Sequence, residues 1–418
     1  MEVKPGYKQT EVGVIPEEWE VKRLGECATF RTGPFGSALH KSDYTDDGVP
    51  VINPMHIIAG QMVPTRTMTI TEKAASNLSD FRLKTGEIVM GRRGDMGRCA
   101  VVQSHQSGWL CGTGTMIIRG GNTDANFLQR VLSSPQVIAA IEDTSVGSTM
   151  INLNQSTLAG LRIQSPPLSE QRVIAGALSD VDELLGALEQ LIAKKRDLKQ
   201  ATMQQLLTGK TRLPGFRGKW AIRNMAKHAS LKARIGWQAL TTEEYLGSGT
   251  YYLVTGTDFI GGRVNWLTCH FVDEWRYAQD HNIQLRDGDV LLTKDGTIGK
   301  VGYVESLHGS ATLNSGVFVI RPLEMAFVPL FLFYVLTSRV FDEFLSKITA
   351  GSTITHLYQK DFVTFEFLAP EINEQTAIAE VLSDMDAELA ALEQRRNKTN
   401  ALKQGMMQEL LTGRIRLV

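Results

Sequence analysis

Two short segments of this chain combine glycines with cations in the same order. They are Arg92-Arg93-Gly94-Asp95-Met96-Gly97-Arg98 and Lys294-Asp295-Gly296-Thr297-Ile298-Gly299-Lys300. Glycines three apart permit positive φ and a close backbone approach. Such a turn can present backbone N–H groups and cations to phosphates. An ordinary hairpin with solvated charges accounts for the same residues. Arg92, Arg93, Gly94, Arg98, Lys294, Gly296 and Lys300 are therefore candidate contacts to a nucleic-acid backbone. Ser148, Thr149, Ser352 and Thr353, in two Gly-Ser-Thr segments, join them; these hydroxyls either donate to phosphates or cap helices.

A second set has the side chains that read base edges. Arg and Lys suit guanine, and Asn and Gln suit adenine. In the first half of the chain these are Arg31, Phe35, Ser37, Lys41, Asn53 and His56; in the second half they are Arg234, Trp237, Gln238 and Thr257. Taken singly, each is equally a surface side chain.

No residue set points to covalent chemistry. Ser165-Pro166-Pro167-Leu168 approaches the loop with which adenine methyltransferases grip a flipped base, but its fourth residue has no ring to stack. Gly209-Lys210-Thr211 looks like the end of a phosphate-binding loop, yet Gln204 stands where its first glycine belongs. No His/Cys cluster suggests a metal. Cys27, Cys99, Cys111 and Cys269 are scattered and read as reduced, partly buried thiols. With 44 basic and 45 acidic residues the net charge is −1, so a general polyanion binder is excluded and any nucleic-acid contact must rest on local basic loops. Met1–Thr10 is polar, and the longest apolar run, Phe327–Leu336, is about half of what a membrane span needs. A cytoplasmic protein that does not contact the membrane is expected.

The elements that carry these residues are repeated. Glu170–Leu213 and Glu374–Leu417 match at 25 of 44 positions without a gap, at an offset of 204. Upstream the likeness fades; the glycine-rich turns match at 202 and Trp19 matches Trp220. Each unit is a divergent head followed by a well-kept helical tail. Ile174, Leu178, Val181, Leu185, Leu188 and Ile192 step by four and three, as do Ile378, Leu382, Met385, Leu389 and Leu392. That seam predicts helices of roughly 40 residues, about 60 Å long, the first closed by Gly209. The two tails should pair with each other, antiparallel, about a pseudo-two-fold axis that leaves one head at each end. An intermolecular coiled coil is the alternative. The closing segment Leu410–Val418 should lie beside residues 1–20.

In each head, strands are expected at Glu87–Met90, Cys99–Gln103 and Thr115–Arg119, and at Asp289–Leu292, Val301–Glu305 and Val317–Arg321. Helices should follow near Ala125–Asp143 and Val328–Lys347. The fold class is thus α+β: two mixed α/β heads separated by two long antiparallel helices that form a coiled coil. The boundaries are an arm at 1–20, a head at 21–166, a tail at 167–213, a head at 214–368 and a tail at 369–418. Half-sites one duplex turn apart lie about 34–36 Å from each other, within the span of such helices. Unlike heads imply an asymmetric, bipartite target.

Over essentially its whole length the chain resembles the specificity subunits of type I restriction–modification systems (HsdS). The resemblance lies in Gly-Tyr-Lys-x-Thr-Glu-Val-Gly-Val-Ile-Pro-Glu-Glu-Trp at Gly6–Trp19, the two glycine-rich turns, the Gly-Ser-Thr segments, Pro166–Gln171, and Leu206–Pro214. Pro370–Gln375 departs mildly from the Pro-Pro-Leu-Ser-Glu-Gln pattern. The resemblance implies that each head is a target recognition domain binding double-stranded DNA in the major groove. It implies helices that set the spacer and dock two methyltransferase subunits (HsdM), with motor-nuclease subunits (HsdR) completing the assembly. S-adenosylmethionine, ATP and Mg²⁺ would belong to those partners, and the chain would be non-catalytic. The specificity subunit of a type IIB enzyme shares the architecture; a methyltransferase gene fused to a nuclease, with no motor gene, would favour it. A purely structural coiled-coil adaptor is a third reading.

Overall fold

A computed structural model describes residues 4–35, 38–143, 153–349 and 356–417. The chain divides into two compact units, Met1–Glu189 with Arg395–Val418, and Gln190–Gln394. Each holds one head and portions of both tails.

In the first unit a four-stranded antiparallel sheet runs in the order Cys99–Val101, Ile88–Gly91, Thr115–Gly120, Ala28–Thr32. A smaller sheet joins Leu110–Cys111, Val49–Ile52, Thr69–Ile70 and Tyr44–Thr45. In the second unit the matching strands stand in the same order: Val301–Tyr303, Val290–Thr293, Val317–Pro322, Ala229–Lys232. Ile88, Val89 and Met90, like Val290, Leu291 and Leu292, are buried as a continuous run, because helices cover one face and the small sheet the other. The expected strands are therefore present with ends shifted by one or two residues. The expected single helices are each split in two: Ala125–Leu132 and Pro135–Asp143, Pro329–Leu336 and Arg339–Thr349. Pro135 opens its helix, and the Ser134 and Ser338 hydroxyls donate back to Val131 and Val335, capping the preceding turn.

The tails are the helices Leu168–Leu206 and Ile372–Leu410, 39 residues each. Gly209 and Gly413 follow at φ +69°, the left-handed cap that glycine takes without strain. In the first unit Asp182 pairs with Lys403 at 2.6 Å, and Arg416 grips Glu170 with two bonds of 2.9 Å. In the second unit Lys195 pairs with Glu388 at 2.6 Å, Lys199 with Asp386, and Arg212 grips Glu374 with two bonds of 2.5 Å. As one number rises its partner falls, so the tails run antiparallel and the seams meet within the chain. Ile174, Leu178, Leu188, Ile192, Ile378 and Leu382 are buried. Val181, Leu185, Met385, Leu389 and Leu392 are half-buried, since two helices alone cover only a narrow stripe. Truncating Leu178 or Leu382 to alanine would cost about 3 kcal/mol.

The N-terminal arm forms the hairpin Tyr7–Thr10 with Gly13–Pro16. As expected, it lies beside the chain's last residues. Tyr7 Oη donates to the Gly413 carbonyl at 3.1 Å, and Arg416 reaches Glu18 at 2.7 Å. The four cysteines are free and buried. Among the described residues no helix is long and apolar enough to cross a membrane.

Candidate nucleic-acid interface

The glycine-rich turns join the second and first strands of each head's sheet order. Gly94 and Gly97 adopt φ +78° and +80°, Gly296 and Gly299 +68° and +81°. The two glycines of a pair differ in surroundings. A Cβ at Gly97 would sit 2.6 Å from Ile138 Cδ1, and one at Gly299 would meet Leu345, whereas Gly94 and Gly296 face open space. One glycine thus seats the turn on a helix and the other forms its tip.

Around each turn the same loops converge. In the first head the Arg92 N–H donates to the Gly114 carbonyl (2.9 Å), the Leu153 N–H to the Arg92 carbonyl (2.9 Å), the Gly33 N–H to the Thr115 carbonyl (3.0 Å), and the Gly112 N–H to the Ile52 carbonyl (2.8 Å). Asn53 Oδ1 lies 3.5 Å from the Gly114 N–H, and Gln155 Nε2 donates to Thr32 Oγ1 at 2.8 Å. One edge of the head therefore collects residues 31–35, 53–56, 91–98, 112–115 and 153–155. In the second head Lys294 N–H donates to Gly316 (2.9 Å), Leu357 N–H to Lys294 (2.8 Å), and Asn314 N–H to Val254 (3.0 Å).

These edges bring most of the candidates together but correct several roles. His56 is 1% exposed. Its Nδ1 accepts from the Asn53 N–H at 3.1 Å, and burial holds its pKa below the usual imidazole value. It closes a turn from inside the head. Asp258 does the same in the second head, accepting from the Thr255 N–H at 2.8 Å. Arg234, also 1% exposed, is interior. It donates to the Leu313 carbonyl at 2.9 Å, to Thr312 Oγ1 at 3.2 Å and to Gln279 Oε1 at 3.3 Å. Burial, then the nearby Arg276, lowers its pKa. Gln238 is buried beside it, its carbonyl within 3.4 Å of Arg276 Nη1. Arg234 and Gln238 therefore lie in the interior and support the edge from inside.

Among the cations, Arg92 is half-buried and donates from Nε to the Leu153 carbonyl at 3.0 Å. Arg98 pairs with Asp95 inside its own turn. Lys300 Nζ donates to the Gly256 carbonyl at 2.9 Å, and Lys294 Nζ lies 5.5 Å from the centre of the Phe318 ring. Arg31 pairs with Asp80 at 2.6 Å over the Phe81 ring. Arg93, Phe35, Lys41 and Thr257 are exposed, and Asn53 is half-buried. Ser37, Ser148, Thr149, Ser352, Thr353 and the Trp237 side chain lie outside the described residues.

Residues that join head to tail are absent from both sets of candidates. Gln171 Oε1 accepts from the Asp124 N–H at 2.9 Å, while its Nε2 donates to the Pro166 carbonyl at 2.9 Å. Gln375 repeats this with Val328 and Pro370, both at 2.8 Å. Asp182 also holds Arg130 at 2.6 Å, and Asp386 accepts from Tyr334 Oη at 2.8 Å. The signal was their identity in both tails, at exposed-type residues that a heptad seam does not need.

The family described as "Type I restriction modification DNA specificity domain" matches residues 16–197 and 238–404. The chain belongs to this family. Each matched stretch spans most of one head and much of the tail after it, as the internal repeat does. The chain is 23% identical to the type I restriction enzyme MjaVIII specificity subunit of Methanocaldococcus jannaschii, over 96% of this chain and 94% of that protein. It is 21% identical to the type I restriction enzyme EcoKI specificity subunit of Escherichia coli K12, over 96% and 89%. The crystal structure of the S subunit from M. genitalium shares the fold, with a TM-score of 0.60 at 16% identity and 98% coverage of both chains.

Proposed function

We propose that this type I specificity subunit reads a bipartite, asymmetric DNA target, one half-site per head, and itself catalyses nothing. The observation carrying this reading is a duplicated edge: the same hydrogen-bond frame in both heads, with different exposed side chains around the same glycine-rich turn. The candidate cations Arg92, Arg93, Lys294 and Lys300 stand on these turns, which suits a local contact by a chain of net charge −1. The paired tails set the spacer and hold two methyltransferase subunits (HsdM), with motor-nuclease subunits (HsdR) completing the complex in the cytoplasm. S-adenosylmethionine, ATP and Mg²⁺ are bound by those partners. The test is selection of bound duplexes from a randomised pool by the chain with its methyltransferase subunits. Two short unlike motifs at a fixed separation are expected; a single continuous motif, or none, would refute the proposal.

A further inference from the structure

Several backbone bonds of the edge recur in both heads at an offset of 202. Gly91 and Thr293 donate to Arg98 and Lys300; His56 and Asp258 donate to Asn53 and Thr255; Val63 and Asn265 donate to His56 and Asp258. Positions that coincide in this frame can therefore be compared directly. One pair lies in the short 3-10 turns Pro54–His56 and Gly256–Asp258. The first residue of each is seated against the base of the glycine-rich turn. Pro54 Cβ lies 3.3 Å from where a Cβ at Gly91 would be, and the Gly256 carbonyl accepts from Lys300 Nζ at 2.9 Å. The third residue is the buried cap, His56 or Asp258. The middle residue, Met55 or Thr257, is left outside. Met55 is 61% exposed, a large apolar side chain on a turn locked at both ends and beside the cationic loop.

The pair differs in chemistry. Thr257 ends a hydroxyl chain: its Oγ1 is 2.7 Å from Thr255 Oγ1, which donates to Asp258 Oδ2 at 2.8 Å. With the Thr255 hydrogen spent on the carboxylate, the Thr257 hydroxyl donates inward and turns lone pairs outward. Lone pairs there suit an amino group, adenine N6 or cytosine N4, whereas an apolar side chain suits the thymine 5-methyl.

We propose that position 55/257 is specificity-determining: Met55 contacts a thymine methyl in one half-site, and Thr257 accepts from a base amino group in the other. This rests on the DNA-reading function proposed above.

The test uses the full chain with its methyltransferase subunits and duplexes carrying the selected target, each thymine replaced singly by deoxyuridine, which removes only the methyl. One replacement in one half-site should weaken wild-type binding about fourfold. That penalty should vanish in Met55→Thr, with preferences in the other half unchanged. Thr257→Val should lose about tenfold of discrimination at one base of the other half while keeping the uracil response. A target without such a thymine, no response to any uracil, or an undiminished penalty in Met55→Thr would overturn the inference and leave the bipartite reading standing. Equal wild-type binding to the selected target and to a duplex of scrambled sequence would overturn both.

Discussion

The two heads hold the same edge by different means. The register that pairs Phe30 with Ile118 and Leu231 with Ile320 puts Arg234 in the place of Gly33. In the first head the edge is closed by absence of side chain. A Cβ at Gly33 would strike the Gly112 carbonyl, and one at Gly112 would strike Asn53. In the second head the same space is filled by polar groups: the Arg234 guanidinium on Leu313, Thr312 and Gln279, and Asn314 bonded to Tyr245. Backbone bonds from Gly91, His56, Val63 and Gly112 recur from Thr293, Asp258, Asn265 and Asn314 through this exchange. The ladder therefore fixes the frame, the interior is packed differently in each head, and the outer side chains are free to differ.

The comparison breaks most visibly at its glycine. Gly33→Ala should cost about 3 kcal/mol, because backbone rather than a flexible side chain stands in the way. A lowered urea midpoint of the first transition, with binding to one half-site lost, is the expected result. Arg234→Met should cost about 2 kcal/mol by leaving buried acceptors unpaired, and only the other half-site should suffer. Equal damage to both halves from either variant would mean that the heads do not read separately.

A subtler asymmetry concerns the caps. His56 has a folded pKa below its unfolded value, so the unfolded chain binds more protons as pH falls through about 6.5, and the first head loses stability there. Asp258 gives the second head no imidazole at that position. Unfolding followed from pH 7.5 to 5.5 should show a drop that His56→Asp reduces; a drop of the same size in the variant would place its cause elsewhere. The smallest effect is expected at Arg93. Its removal should weaken binding to all duplexes alike and lower the slope of log affinity against log salt by about one. A change confined to one sequence would make Arg93 a base reader.

Much of this architecture was legible. The heptad steps from Ile174 to Ile192 located a helix to within a few residues, because burial of an apolar stripe imposes its period. The antiparallel pairing followed from two matching seams. What composition did not reveal was which polar residues are interior. Arg234 and His56 have the side chains of base readers, and only tertiary contacts show them spent on carbonyls and backbone N–H groups. For His56 a local signal existed: Asn53 three residues before it, ahead of Pro54, is the pattern of a capped turn. For Arg234 there was none, since its partners lie 45 to 79 residues away in sequence. The helix split at Ser134-Pro135 was readable from the proline; the matching split at Thr337-Ser338 was not, and only the repeat could have suggested it.

The central claim is that unlike readers on one duplicated frame act independently. Exchange of residues 21–166 for the corresponding head of a relative, followed by selection of bound duplexes with the methyltransferase subunits present, tests it directly. The account predicts a new motif in one half-site, with the other half-site and the spacer unchanged. A motif altered in both halves, or in neither, would contradict it.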